Sequence, residues 1–124
     1  EVNVVVGNFA ATVMRVSDIT LTAANLNGIT VSGKVRVRDA ASNPVSGATV
    51  DIKWRTPNGS FATQSGQTNS LGVASFSVNS IPGKYRLTVT NVVKSGFKFD
   101  RSGSQLTATL GVIAAPVEID VESF

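Results

Sequence analysis

Apolar and polar residues alternate with a period of two along most of the chain, the spacing of a strand with one buried and one wet face. Val31, Val35 and Val37 interleave with Ser32, Lys34, Arg36 and Arg38, and Gly33 falls in the apolar phase. Val50, Ile52 and Trp54 interleave with Asp51, Lys53 and Arg55. Tyr85, Leu87 and Val89 interleave with Lys84, Arg86, Thr88 and Thr90. The β-branched and aromatic residues in the apolar phase suit a pleated, half-buried surface. No segment repeats apolar residues at helical spacing over three turns, so no substantial helix is expected.

Turn signals separate the runs. Asn27-Gly28 reads as a hairpin turn between Ile19–Leu26 and Ile29–Asp39. Ser42-Asn43-Pro44 and Ser46-Gly47 bracket the link to Ala48–Thr56, with Pro44 fixing its own φ and Gly47 supplying a positive one. Pro57-Asn58-Gly59 ends that strand; Asn58-Gly59-Ser60 also fits a glycosylation sequon but is read as the turn. Asn69-Ser70-Leu71-Gly72 precedes Val73–Val78, and Ile81-Pro82-Gly83 precedes Lys84–Thr90. Val2–Val6 and Thr12–Ser17 are strand-like around Gly7-Asn8. Phe97 and Phe99 alternate with Lys98 and are expected to bury, while Phe9 and Phe61 are left unassigned. Several short strands at this spacing predict an all-β sandwich or barrel. Beyond Ala114-Ala115-Pro116, Val117, Ile119 and Val121 alternate with Glu118, Asp120 and Glu122. Residues 1–124 are therefore read as one domain, with 112–124 an extra strand or a linker to a neighbour.

Composition narrows the chemistry. With 124 residues, 42% hydrophobic and 15% charged, the chain suits one folded domain rather than two or a disordered segment. There is no histidine and no cysteine. That removes a Ser-His-Asp triad, imidazole acid–base work, a thiol nucleophile, a disulfide, and the ordinary zinc, haem and iron–sulfur sites. No apolar run is long enough for a membrane helix. The first residues lack the basic and apolar regions of a signal peptide, and Glu1 in place of Met reads as a processed or excised piece.

Three segments carry a resemblance. Asp39 is followed by Asn43-Pro44-Val45 and Gly47-Ala48-Thr49-Val50; Thr68 is followed by Gly72, Ala74 and Phe76; and Gly83-Lys84-Tyr85 opens a run to Val92 that leads into Gly96-Phe97-Lys98-Phe99-Asp100. From Val13 to about Leu110 the chain resembles a bacterial immunoglobulin-like or fibronectin type III-like accessory domain. Together with Met14-Arg15-Val16-Ser17-Asp18-Ile19, these segments are similar to a module that follows the catalytic domain in secreted bacterial hydrolases, subtilisin-like peptidases among them. That module often opens Met-His-Val-Gly-Asp-Leu and carries a cysteine pair; Arg15 and Ser17 replace the His and Gly here, and the cysteines are absent. The resemblance implies an antiparallel β-sandwich of seven to nine strands, with Trp54 buried between the sheets and Tyr85 in a tyrosine corner, both structural.

In such a sandwich the third and sixth strands are neighbours, so Lys53, Arg55, Lys84 and Arg86 would share one outward face. The second strand, in the other sheet, would show Lys34, Arg36 and Arg38. The net charge of +3 then divides: residues 1–117 hold eleven basic against five acidic residues, and the three remaining acids lie in the tail. The basic face is a candidate for an anionic ligand, against the plainer reading that it keeps the module soluble. No aromatic residues interleave with these cations in the strands read, which disfavours nucleic acid. The acids Glu1, Asp18, Asp39, Asp51, Asp100, Glu118, Asp120 and Glu122 form no catalytic pair by spacing, so no catalytic residue, cofactor or metal is assigned. Calcium is the one ion the composition allows, through Asp39 with Asn43 or Asp100 with Ser102; a local loop turn is the competing reading.

The expected function is a non-catalytic accessory or spacer module of a larger secreted bacterial protein, a hydrolase, at the cell surface or outside the cell. Its partners would be the neighbouring domains of the parent chain, and an anionic or neutral polysaccharide. One alternative is a carbohydrate- or cell-surface-binding module. The other is a structural surface or pilus-type subunit that completes a partner's sheet, with Val117–Val121 as the donated strand.

Overall fold

Residues 12–25 and 29–112 are described by the computed structural model of the chain. The strand reading of Val2–Val6, Phe9, the Asn27-Gly28 turn, and the tail with Val117–Val121 lie outside the described residues.

Among the described residues the chain forms eight strands: β1 (Val13–Asn25), β2 (Ile29–Asp39), β3 (Thr49–Arg55), β4 (Phe61–Gln67), β5 (Val73–Ser80), β6 (Gly83–Val93), β7 (Lys98–Phe99) and β8 (Thr107–Val112). They form two four-stranded sheets, β5-β2-β1-β7 and β4-β3-β6-β8. This is an all-β, immunoglobulin-like sandwich. All strand pairs are antiparallel except β1 with β7, which runs parallel through Val13↔Lys98 and Met14↔Phe99.

Thr12–Ser17 and Ile19–Leu26, read as separate runs, are one strand from Val13 to Asn25. The polar phase at Ser17-Asp18 marks an irregularity: Val16 pairs with Val37, Asp18 with Arg36, and Ser17 is the extra residue. The loop after β7 fills the resulting gap. Val16 N–H donates to Ser104 Oγ at 2.9 Å, Gln105 N–H donates to the Val16 carbonyl at 3.0 Å, and Ile19 N–H donates to Gln105 Oε1 at 3.3 Å. Side chains thus satisfy donors that a regular ladder would have paired, and the chain crosses from one sheet to the other between β7 and β8.

The core takes the apolar phase of each strand: Val31, Val35 and Val37 from β2, Val50, Ile52 and Trp54 from β3, Tyr85, Leu87 and Val89 from β6. Trp54 has no exposed surface, and Gly33 stands opposite it for a steric reason. A Cβ at Gly33 would lie 2.6 Å from Leu87 Cδ1 and 3.2 Å from Trp54 Cη2. The glycine in the apolar phase of β2 therefore makes room for the largest side chain of the opposite sheet.

Two of the three motifs that carry the resemblance, the one from Asp39 to Val50 and the one from Thr68 to Phe76, meet in one clasp at the end of the sandwich where β2 leads to β3 and β4 leads to β5. Thr68, 5% exposed, donates through Oγ1 to the Val45 carbonyl at 2.7 Å and accepts from Ala48 N–H at 2.9 Å. Backbone bonds Gly47 N–H to Thr68 O and Thr68 N–H to Ala48 O, both 2.9 Å, close the same contact. Thr68→Val keeps the shape but orphans the Ala48 N–H in a buried site. It is expected to cost about 2 kcal/mol, read as a shift in denaturation midpoint at constant slope.

At the other end, Tyr85 is fully buried, and its hydroxyl donates to the Ile81 carbonyl four residues back at 2.7 Å. That is the geometry of a tyrosine corner. Tyr85→Phe removes one hydrogen bond and no packing, so a loss of about 1 kcal/mol is expected in equilibrium unfolding.

Candidate anionic-ligand face

The outer surface of β4-β3-β6-β8 brings Lys53, Arg55, Lys84 and Arg86 together, all four exposed. Register sets their spacing. Arg55 pairs with Arg86, Lys53 with Thr88, and Lys84 with Gly111 of β8. Lys34, Arg36 and Arg38 lie in the other sheet, where Arg36 makes the one ion pair among the described residues, 3.3 Å to Asp18.

Strand β4 adds what the alternation of charge and valine did not reveal. Phe61 pairs with Arg55 and so joins the outward row, 58% exposed. Lys53 Nζ lies 5.0 Å from its ring centroid and Arg55 Cζ 5.5 Å, both within cation–π range. The expectation that no aromatic residue interleaves with the cations is thus corrected: Phe61 does. Segment 61–67 went unread as a strand because its inward positions are Ala62, Gln64 and Gly66, with no bulky apolar residue. Large neighbours account for that choice. A Cβ at Gly66 would come within 3.2 Å of Phe76, and Gln64 Oε1 accepts the Trp54 indole N–H at 3.0 Å. Gln64 Nε2 then donates to Ser77 O of β5 at 2.7 Å, linking the two sheets along that edge. The readable signal was the Pro57–Ser60 turn, since a hairpin turn after β3 demands an antiparallel partner.

Two concavities on this face are bordered by the basic residues. A small one of about 210 Å³ is bounded by Lys53, Arg55, Phe61, Arg86 and Thr88. A larger cleft of about 510 Å³ at the strand ends has Arg55, Lys84 and Arg86 on its rim and Pro57, Ile81 and Pro82 among its walls. Arg55 and Arg86 border both.

The described carboxylates are engaged locally. Asp51 Oδ1 accepts from Ser65 Oγ at 2.7 Å. Asp39 Oδ1 accepts from the Ala41 and Asn43 N–H groups, each at 2.9 Å, the pattern of a loop turn. Asp100 Oδ1 accepts from Ser102 Oγ at 2.9 Å and Gly103 N–H at 3.1 Å. Among the described residues no three acidic, histidine or cysteine side chains gather as metal ligands would. Phe97 and Phe99 are half-buried, each with a cation over its ring: Lys94 at 5.2 Å and Arg101 at 5.2 Å.

The Ser102 hydroxyl, then the Gly103 N–H, hold the Asp100 carboxyl below its ordinary pKa, with the Arg15 charge helping. A carboxyl depressed in the fold contributes stability that is complete above its unfolded value and is lost as pH falls through the folded one. Asp100→Asn is expected to flatten the decline in stability below about pH 4, read from urea midpoints across the acid range.

The family model for macroglobulin domain MG4 matches residues 26–109, which include β2 to β6, the clasp and the basic face. The chain belongs to the macroglobulin MG4 domain family. No curated protein matches the sequence. An MG4 domain is an accessory, immunoglobulin-like part of a larger protein; the matched segment holds the clasp and most of the sandwich, with β1 lying before it. Among the described residues of this MG4 domain no helix is long and apolar enough to cross a membrane.

Proposed function

We propose that the chain is a non-catalytic accessory module of a larger secreted bacterial hydrolase, working at the cell surface or outside the cell by spacing and orienting neighbouring domains. The observation that carries this reading is the use of the chain's polar chemistry for structure. Each described carboxylate closes a loop, accepts a cross-strand bond or pairs with an arginine. The buried Thr68 and the Trp54–Gln64 pair hold one end and one edge of the sandwich. A body of this kind transmits position: the 13-residue β1 alone is about 40 Å long at the rise of an extended strand. Membership of a family of macroglobulin accessory domains supports the module reading, and the likeness to modules that follow catalytic domains supports the hydrolase.

The test is made in the parent protein. Its reading frame is expected to encode a secretion signal and a hydrolase domain. Deleting residues 12–112 should leave kcat on a small soluble substrate unchanged while altering activity on an extended or cell-bound one. A parent frame with no other domain would overturn the reading, as would loss of kcat in a deletion variant whose hydrolase domain remains folded.

A further inference from the structure

We propose that the outer face of β4-β3-β6-β8 binds a carboxylated polysaccharide, a polyuronate, with Arg55 and Arg86 clamping successive carboxylates and Phe61 holding Lys53 and Arg55 in place. The inference stands apart from the accessory-module reading, since deleting the module and altering this face are separate experiments.

The first ground is an arrangement the fold alone disfavours. Arg55 and Arg86 are directly opposite on adjacent strands, and like charges so placed repel. Lys53 and Lys84 add to the same field. The acid in this face, Asp51, lies one outward position beyond Lys53 on β3, and its Oδ1 accepts the Ser65 hydroxyl. Four cations thus share a surface without an ion pair between them and any described carboxylate. An anionic partner turns that repulsion into attraction.

The second ground is Phe61. Charge alone is enough to keep a sheet face soluble, and an aromatic side chain 58% exposed among the charges serves solubility poorly. Its ring instead steadies Lys53 and Arg55, reducing the side-chain freedom that ligand binding would otherwise have to remove.

Shape and chemistry select the ligand. The two concavities adjoin and share Arg55 and Arg86, which suits a polymer with repeated charges better than a single small anion. The planar arginine fork matches a carboxylate in two hydrogen bonds. Around the cations the outward positions are Thr63, Thr88, Thr107 and Thr109, hydroxyls suited to a polyhydroxylated chain. A single-stranded nucleic acid would call for a series of stacking rings, and this face offers one, already covered by two cations; a duplex, bound through its phosphates alone, is told apart by the experiment below.

Affinity electrophoresis of the whole chain through gels containing polygalacturonate is expected to retard it, more weakly as salt rises, while neutral dextran leaves it unretarded. Arg55→Gln and Arg86→Gln should each weaken binding about tenfold, the loss of a charged hydrogen-bonded contact. Thermal unfolding of both variants should be unchanged or raised, because removing either arginine relieves the cross-strand repulsion. Arg86→Lys keeps the charge but not the fork and should bind between wild type and Arg86→Gln; Lys34→Gln, in the other sheet, should bind as wild type. The proposal is overturned if polygalacturonate causes no retardation at physiological ionic strength or if the arginine variants are retarded as strongly as wild type. It is also overturned if duplex DNA at matched charge concentration binds as tightly.

Discussion

Trp54→Ala is expected to cost about 4 kcal/mol of folding stability, the scale for emptying a large aromatic site in a packed core. Domains of this size have only about 5–15 kcal/mol in total, so the variant is expected to be partly unfolded at moderate temperature. Three features put Trp54 near the top of that scale. It has no exposed surface; its indole N–H is bonded to Gln64; and Gln64 in turn holds Ser77 of the other sheet. Truncation leaves a void between the sheets and frees the amide that ties β4 to β5. The measurement is urea unfolding, with the midpoint falling and the slope unchanged. A loss below about 1 kcal/mol would mean that the site collapses around the missing ring, contrary to the close approach at Gly33. A double-mutant cycle sharpens the test. Gly33→Ala alone forces a Cβ to within 2.6 Å of Leu87 Cδ1, but with Trp54 truncated Leu87 has space to move. The alanine should therefore cost less in the Trp54→Ala background than in wild type, a coupling expected only for residues that share one cavity.

That pair also shows how far the alternation of residue types reaches. In β2, β3 and β6 the inward side chains are bulky and the outward ones charged, so the pattern alone locates the strands, the core and the shared basic face. Phase decides the position of Trp54 as firmly as that of Val50 and Ile52. In β4 and β8 the contrast disappears. β4 offers Ala62, Gln64 and Gly66 inward because Trp54 and Phe76 already fill the space, and hydrophobicity cannot register a position shaped by its neighbours' bulk. β8 offers Ala108 and Leu110 between threonines and a glycine, a weak alternation that becomes a strand through pairing with β6. The charged half of the candidate face was therefore legible and its aromatic member was not, since Phe61 acquires its place only through pairing with Arg55. β1 illustrates the reverse error. Thr12–Ser17 and Ile19–Leu26 read as two runs parted at Asp18, yet a bulge keeps the strand continuous and the side chains of Ser104 and Gln105 supply the missing partners.

The motif built on Thr68, Gly72, Ala74 and Phe76 explains itself once the clasp is seen, and its glycine gives the second large effect. Gly72→Ala is expected to cost about 3 kcal/mol, combining a left-handed backbone with a steric conflict that side-chain motion cannot relieve. Gly72 has φ of 76°, a region that costs any residue with a Cβ. The added methyl would stand 2.6 Å from the Val37 carbonyl oxygen and 3.1 Å from both Val45 N and Pro44 Cβ. Those atoms have little freedom to move. The Val37 carbonyl accepts from Val45 N–H at 3.0 Å, and Val37 N–H donates to the Gly72 carbonyl at 2.8 Å. Any shift that admits the methyl thus loosens the bonds joining β2 to both loops, including the strap at Val45 that Thr68 holds. The contrast with Gly59 makes the prediction specific. Gly59 also has positive φ, 87°, but nothing lies within 4 Å of its Cβ position, so Gly59→Ala should lose only the conformational part, about 1 kcal/mol. Equal losses at the two sites in paired urea titrations would show that backbone conformation alone governs Gly72. The larger loss at Gly72, with faster amide exchange at Val37 and Val45, is the result expected of a glycine required for the close approach of two loops.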